Sequence, residues 1–194
     1  MVSSLAGLTA LPQVQHLSVG PILKTHSPFT HLLHSRYSSK HDLASYSSHP
    51  DHLSAVRSSV LPICLDILAV DWLSPHRPPS PIPPGSAIRL TLMKAKEDGA
   101  VGEVLGLIGG FEGRIAAGGL LELSFGQNFS PARAQGFGIA SIAVFKGLGD
   151  LEALDSGVLE DENVKVRGFL ESVIDVDFVV PGGLPSDPSA SASL

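Results

Sequence analysis

Apolar residues recur along this chain with two spacings, and each spacing predicts a different element of secondary structure. Alternating apolar and polar positions are typical of half-buried strands, whereas apolar residues three and four positions apart mark one face of a helix. Alternation predicts strands at 16–23, 29–37, 67–72, 87–96, 120–125, 137–145 and 173–180. The helical spacing predicts helices at 2–11, 39–60, 99–117 and 148–172. Strands and helices mixed in this way indicate an α+β fold.

The helix predicted at 39–60 has a start signal and a break signal in its sequence. Ser39 is predicted to cap the start, because a serine oxygen can accept a hydrogen bond from an N–H of the first turn. Asp42 adds a negative charge where the helix dipole favours one. Pro50 is expected to break or restart the helix, since an interior proline removes a backbone hydrogen bond.

A proline-rich segment divides the chain. Residues 74–85 contain six prolines in twelve positions, which predicts a stiff, extended linker. The expected organisation is therefore a first unit at 1–73, the linker at 74–85, a second unit at 86–181 and a flexible tail at 182–194.

The two units resemble each other in sequence. The segment LSVG at 17–20 matches LSFG at 123–126 with an offset of 106, and 29–37 matches 137–145 with an offset of 108. A duplicated unit of about a hundred residues, with the order strand–helix–strand–strand–helix–strand, is predicted. The counterpart of strand 87–96 would precede Met1, so the first unit is expected to lack its opening strand. That expectation fits a short isoform, a late start or a mispredicted gene model.

Composition and charge exclude several classes of protein. The 194 residues are 43% hydrophobic and 16% charged, which is typical of a globular protein. The net charge of −6 is concentrated in residues 86–194, and no cluster of Lys and Arg suggests a nucleic-acid surface. No apolar run is long enough to span a membrane. Cys64 is the only cysteine, so no intrachain disulfide can form and a reducing compartment is expected.

Four motifs carry a resemblance to a known family. They are Thr30-His31-Leu32-Leu33, Ser39-Lys40-x-Asp42-Leu43, Tyr46-x-x-His49-Pro50-x-His52 and Val70-Asp71-Trp72. With these motifs the chain resembles the plant stress-response A/B barrel domain proteins of the dimeric α+β barrel superfamily, over about 1–73 and 86–181. The resemblance implies tandem ferredoxin-like units that form a dimeric or pseudo-dimeric α+β barrel, the first unit lacking its opening strand.

The resemblance also implies site residues. In the plant polyketide cyclase of this family, the tyrosine before the His-Pro-x-His motif and the last histidine of that motif are the catalytic pair. Tyr46 and His52 match those positions, and His31 and His49 are expected to line a ligand pocket. A structural interpretation stays open: Tyr46 as a core aromatic, His49 and Pro50 as a helix cap, and His52 as a half-exposed side chain.

The expected function is that of a non-catalytic stress- or defence-response protein whose barrel binds a small apolar or phenolic ligand. The alternative is a polyketide-cyclase-like enzyme in which a Tyr/His pair closes a ring by an intramolecular aldol reaction. No cofactor is expected, and no metal, because His49-x-x-His52 lacks partner ligands of comparable quality. The units are expected to pair within one chain or as a homodimer. The expected location is cytoplasmic, or peroxisomal if Ala192-Ser193-Leu194 acts as a weak targeting signal.

Overall fold

The computed structural model describes residues 1–25, 27–74, 76, 81–115, 119–154 and 165–182. Its helices are α1 (Val2–Ala6), α2 (Lys40–Ser48), α3 (Pro50–Ala55), α4 (Val101–Ile115) and α5 (Leu148–Leu154). Its strands are β1 (His16–Pro21), β2 (Lys24–Thr25), β3 (His31–Arg36), β4 (Ala87–Ala95), β5 (Leu120–Gln127), β6 (Ile139–Phe145) and β7 (Leu170–Val179). The predicted α+β class is confirmed. Part of the predicted linker, and the predicted targeting signal at 192–194, lie outside the described residues.

The larger sheet contains five antiparallel strands in the order β2-β7-β4-β6-β5, with β4 at its centre. Alternation along β4 gives the sheet two apolar faces. Ala87 and Met93 pack under the helices, in a core with Val104 and Ile108 of α4 and Leu151 of α5. The opposite face of the sheet is also apolar, and its buried residues are Ile88, Leu90, Leu92, Ala140, Ile142, Val144, Val176 and Phe178.

The smaller sheet contains β1 and β3, which pair antiparallel. Side chains alternate across a strand, so the odd and even positions of β1 have different surroundings. Leu17 and Val19 pack with Leu5 and Leu8 of the N-terminal helical segment and with Tyr46 of α2. The even positions, including His16 and Ser18, turn toward the larger sheet.

Both predictions about the helix at 39–60 are confirmed. The Ser39 hydroxyl oxygen accepts a hydrogen bond from the Asp42 N–H at 3.1 Å. The helix stops at Ser48, and α3 starts at Pro50, which tolerates the first helical position because its N–H would be unpaired there. His49 caps α3, since its Nδ1 accepts from the Asp51 N–H at 3.2 Å.

Two sequence-based boundaries are wrong. The segment 67–72 is predicted as a strand but forms no ladder with any described strand. It instead bonds to the β5–β6 connection, where the Ala69 N–H donates to the Arg133 carbonyl at 3.0 Å. Residues 170–172, predicted as helix, begin β7, since Leu170 pairs with Ala95 of β4 beside a bulge.

The first part of the chain covers the open face of the larger sheet. Leu32 of β3 and Leu68, Val70 and Trp72 of the extended segment pack against that face, beside Leu90 and Val176 among others. The Trp72 indole N–H donates to the Ser124 hydroxyl at 2.9 Å. A sheet with apolar residues on both faces needs a cover on each, and here helices supply one and the first unit the other.

The contacts across this junction follow the internal repeat. The Leu23 N–H donates to the Asp177 carbonyl at 2.8 Å, and the Phe129 N–H donates to the Asp71 carbonyl at 2.9 Å. Leu23 and Phe129 are 106 residues apart, and so are Asp71 and Asp177. The offset that relates the sequences therefore relates these two hydrogen bonds as well.

Two close backbone approaches repeat in the same way. Gly20 lies under Phe178, where an added Cβ would be 3.3 Å from the ring. Gly126 lies under Trp72, where an added Cβ would be 3.1 Å from the Trp72 Cβ and 2.9 Å from the Leu73 carbonyl oxygen. Glycine permits both approaches because it has no side chain.

A buried polar cluster occupies part of the junction. Arg36 of β3 donates to Glu122 of β5 at 2.8 Å, and both side chains are under one-tenth exposed. Burial raises the pKa of Glu122 and lowers the pKa of Arg36, while their attraction opposes both shifts. His16 contacts the Ser18 hydroxyl at 3.2 Å, and the His16 and His34 ring centroids are 5.4 Å apart.

Both histidines are neutral in the folded protein at neutral pH. Burial, with a smaller contribution from the charge of Arg36, lowers the pKa of His16 from 6.5 to about 4. Burial lowers the pKa of His34 well below its ordinary value, and Arg36 and His16 add to the effect. Protonation of either ring would place an added positive charge beside a buried guanidinium.

Substitution of Gly126 by alanine should destabilise the junction. The new methyl group would overlap the Leu73 carbonyl, and we expect a loss of roughly 1–3 kcal/mol in the free energy of unfolding. Gly106 of α4 is the control, because its added Cβ meets nothing within 4 Å and alanine favours helix. Urea unfolding followed by fluorescence of Trp72, the only tryptophan, measures both variants. Equal stabilities for the two would contradict the packing described for Gly126.

Stability should fall as the pH is lowered from 6.5 toward 4. An unfolded His16 binds a proton below about 6.5, whereas the folded protein resists that proton until about pH 4. The unfolded state therefore gains protons first, at a cost on the order of 2–3 kcal/mol from His16. We expect His16→Gln to flatten the dependence of the unfolding free energy on pH between 6.5 and 5. His31→Gln, at an exposed position, should leave the slope unchanged.

Candidate functional site

The predicted pair, Tyr46 and His52, comes together in the structure. Tyr46 lies on the buried face of α2, and the break at His49 turns the chain so that α3 brings His52 back beside it. The ring centroids are 4.5 Å apart and the planes are tilted by 46°. Tyr46 is buried, whereas His52 is partly exposed, so the pair lies at the edge of an apolar cluster.

The His52 ring is held in one tautomer. Its Nδ1 lies 3.0 Å from the Ser47 carbonyl oxygen, which can only accept a hydrogen bond. Nδ1 therefore carries the proton, and the lone pair is left on Nε2. Burial lowers the pKa of His52, and the Ser47 carbonyl partly opposes that shift. His52 is thus a neutral imidazole at neutral pH, which is the form that accepts a proton.

Tyr37 extends the pair into a row of three rings. Its centroid is 5.2 Å from that of Tyr46, and the planes are tilted by 49°. Burial raises the pKa of both tyrosines, which keeps their hydroxyls protonated. The Tyr37 hydroxyl oxygen is buried and forms no well-oriented hydrogen bond with a described residue, although the hydroxyls of Ser35 and Tyr46 act on its pKa. Such an atom needs an explanation, because an unpaired buried hydroxyl is costly.

The other two predicted residues lie at the margins of this row. The His49 side chain is one-third exposed and caps α3, with its Nδ1 3.8 Å from the Asp51 carboxylate. His31 lies at the far end of β3 from Tyr37 and is exposed, and its Nδ1 is 2.9 Å from the Thr30 hydroxyl. The pocket role of both residues stays a prediction.

The row combines groups suited to binding or to proton transfer. A neutral imidazole can accept a proton, and a protonated phenol can donate a hydrogen bond to a developing oxyanion.

Among the described residues, no three His, Cys, Asp or Glu side chains are grouped to hold a metal ion. Nor does this part of the chain contain a helix long and apolar enough to cross a membrane.

Sequence reasoning missed two sets of residues. Tyr37 directly follows β3, and its counterpart in the second unit is Phe145, a core residue, so no motif distinguished it. One further signal concerns the buried polar cluster. Its residues His16, His34 and Arg36 occupy even positions on two adjacent strands, while Glu122 lies on β5. That parity predicts a common face, yet it does not reveal what lies opposite.

The chain is similar to known proteins over nearly its whole length. A family profile described as Stress responsive A/B Barrel Domain matches residues 1–74. Two stress-response A/B barrel domain-containing proteins of Arabidopsis thaliana are similar to this chain. The first is 47% identical, over 96% of this chain and 73% of its own length. The second is 40% identical, over 93% of this chain and 87% of its own length.

A solved structure shares the fold across both units. The crystal structure of an anthrone oxidase-like protein matches with a TM-score of 0.64 and 12% identity, covering 93% of this chain and 84% of the other. The chain has the α+β fold of ferredoxin-like units in a tandem, barrel-like arrangement. On the strength of its plant relatives, this chain belongs to the stress-response A/B barrel domain family.

Proposed function

We propose that this protein is a non-catalytic stress-response barrel that binds a small, largely apolar ligand carrying a hydroxyl or carbonyl oxygen. The ligand contacts the row of Tyr37, Tyr46 and His52. The observation that carries the proposal is the buried Tyr37 hydroxyl, which forms no well-oriented hydrogen bond with a described residue, although the hydroxyls of Ser35 and Tyr46 and the Asp71 carboxylate act on its pKa. A ligand oxygen would supply a well-oriented partner.

The surroundings of the row support an apolar ligand. Tyr46 belongs to a cluster with Leu17, Val19 and Val60, and Tyr37 packs against the same cluster. Ligand sites are commonly apolar, with a few polar groups that fix orientation. A phenolic or β-keto compound offers both an apolar body and one oxygen at its edge.

The test is a thermal-shift screen against phenolics, β-polyketo acids and fatty acyl compounds. A compound at a hundred times its Kd should stabilise the protein by about 2.7 kcal/mol. Tyr37→Phe removes the hydroxyl and keeps the ring, so we expect the free variant to be as stable as the wild type or more stable. The same variant should bind at least tenfold more weakly.

His41→Ala is the matched control, because His41 lies exposed on α2. This control should retain the full ligand-induced shift. A screen without any shift, or a Tyr37→Phe variant that binds as well as the wild type, would count against the proposed site.

A second candidate function is favoured by the His52 tautomer. We propose as the alternative a polyketide-cyclase-like activity, in which His52 Nε2 takes a proton from a carbon between two carbonyls. The Tyr46 phenol then donates a hydrogen bond to the enolate oxygen, and the enolate carbon attacks a second carbonyl within the same substrate. The proton on His52 returns to the new alkoxide, so the ring closes without any co-reactant.

Turnover of a linear β-polyketo acid, followed by chromatography of the cyclised product, tests this alternative. His52→Gln should reduce the rate by about 10²–10⁴-fold, the usual contribution of a general base. Because burial lowers the pKa of His52, the fall of the wild-type rate on acidification should have its midpoint below pH 6.5, the ordinary value of a histidine. A rate that declines through pH 7 would argue against His52 as the base.

We further propose that the two units pair within one chain. The repeated hydrogen bonds of Leu23 and Phe129 support this, since they relate the units as two subunits of a dimer would be related. Sedimentation at micromolar concentration should give a monomer mass, and a stable dimer would support homodimeric pairing instead.

We also propose a role in defence and a peroxisomal targeting signal at residues 192–194. The location of a fluorescent fusion with and without those three residues tests the targeting signal.

A further inference from the structure

The connection between β5 and β6 of the second unit lies against the first unit. The Ala69 N–H donates to the Arg133 carbonyl at 3.0 Å. The Gln135 side-chain amide donates to the two carboxylate oxygens of Asp66, at 3.0 and 2.9 Å. Residues 133–135 of the second unit are therefore fixed next to the segment of the first unit that ends in Asp71 and Trp72.

The backbone of this connection has a conformation that needs such support. Gln135 has a φ of 51°, in the left-handed region that favours glycine, and Gly136 follows it with a φ of 87°. A residue with a side chain keeps that conformation only where its surroundings hold it. The bonds from Gln135 to Asp66 of the first unit supply this support. Arg133, two residues earlier, therefore has a defined place beside the first unit.

The side chain of Arg133 lies at the open end of the row of three rings. It is exposed, and it forms no ion pair with a carboxylate of the described residues. Burial is the main cause of the lowered pKa of His52, and the positive charge of Arg133 lowers that pKa further. The guanidinium is thus near the partly exposed His52 ring. Arginine there can bind a carboxylate through two parallel hydrogen bonds.

The other end of the row has a negative charge beside it. Burial is the main cause of the raised pKa of Tyr37, and the Asp71 carboxylate is a smaller cause. The Tyr46 ring separates this end from His52, with centroid distances of 5.2 and 4.5 Å along the row. A ligand carboxylate would be repelled by Asp71 and attracted by Arg133. The two charges therefore define one direction for an acidic ligand along the row.

We propose that Arg133 of the second unit binds the carboxylate of the ligand, and that the ligand is a phenolic acid whose hydroxyl lies at Tyr37. This inference rests on the ligand site proposed above. The ligand ring covers Tyr46, and its hydroxyl accepts a hydrogen bond from the Tyr37 hydroxyl. The carboxylate forms a paired hydrogen bond with the guanidinium. The site is then complete only when the two units are packed together.

Calorimetric titration of the full chain with para-hydroxycinnamate and with its methyl ester tests the proposal. The ester keeps the ring and the hydroxyl but lacks the charge, so the wild type should bind the acid about tenfold more tightly. Arg133→Gln should lose that preference, by weaker binding of the acid and unchanged binding of the ester. This variant should fold normally, because Arg133 bonds to Ala69 through its backbone carbonyl, which the substitution keeps.

Arg57→Gln is the matched control. Arg57 is exposed on the turn that follows α3, and its replacement changes the net charge of the protein by the same amount. The control should keep the wild-type preference for the acid. Tyr37→Phe, in contrast, should weaken the binding of the acid and the ester alike, because both compounds carry the phenolic hydroxyl.

The outcomes separate this inference from the ligand site on which it rests. Equal affinity of the wild type for acid and ester would overturn the role of Arg133, and so would the same loss in Arg57→Gln as in Arg133→Gln. If Tyr37→Phe still weakened both compounds, the ligand site itself would stand. Absence of binding by both compounds would contradict the site, and this inference with it.

Discussion

The structure depends on the burial of the second apolar face of the five-stranded sheet. Its helices cover only one face, and the other would expose a continuous surface of Ile88, Leu90 and Ile142 to water. The first unit removes that surface from solvent with the side chains of Leu32, Leu68, Val70 and Trp72. This burial explains why the first unit still has a defined position, although among the described residues only β1 and β3 pair with each other within it. It also explains why the close approaches at Gly20 and Gly126 matter, since a side chain at either position would push the first unit away from the larger sheet.

Much of this arrangement could be predicted from the sequence because it depends on local patterns. Alternation located β4 and β6, and the signals at Ser39 and Pro50 located the start and the break of the α2–α3 helices. The internal repeat predicted two units of one kind. The segment 67–72 was mispredicted for a physical reason, which is that its alternation indicates an extended backbone but cannot indicate whether a neighbour is present to pair with it.

The candidate site shows the same division between local and non-local information. The Tyr46–His52 contact follows from a local break in a helix, so a motif was enough to bring both residues to notice. Tyr37 joins them only because β3 ends beside α2, and its unpaired hydroxyl is a property of the packed structure. The histidines at 16 and 34 became informative only once Arg36 and Glu122 were found between the sheets. The type of a residue suggests which reactions its side chain can take part in, whereas the packing around that side chain decides its protonation state.

The ion pair between Arg36 and Glu122 breaks the symmetry that the other junction contacts obey. By the repeat offsets, the counterpart of Arg36 is Val144 and the counterpart of Glu122 is His16. Two first units placed face to face would set Arg36 against His16, and two second units would set Glu122 against Val144, leaving a buried charge uncompensated in either case. Only the mixed combination satisfies both charges. The pair thus favours the packing of the first unit against the second over the packing of two identical units.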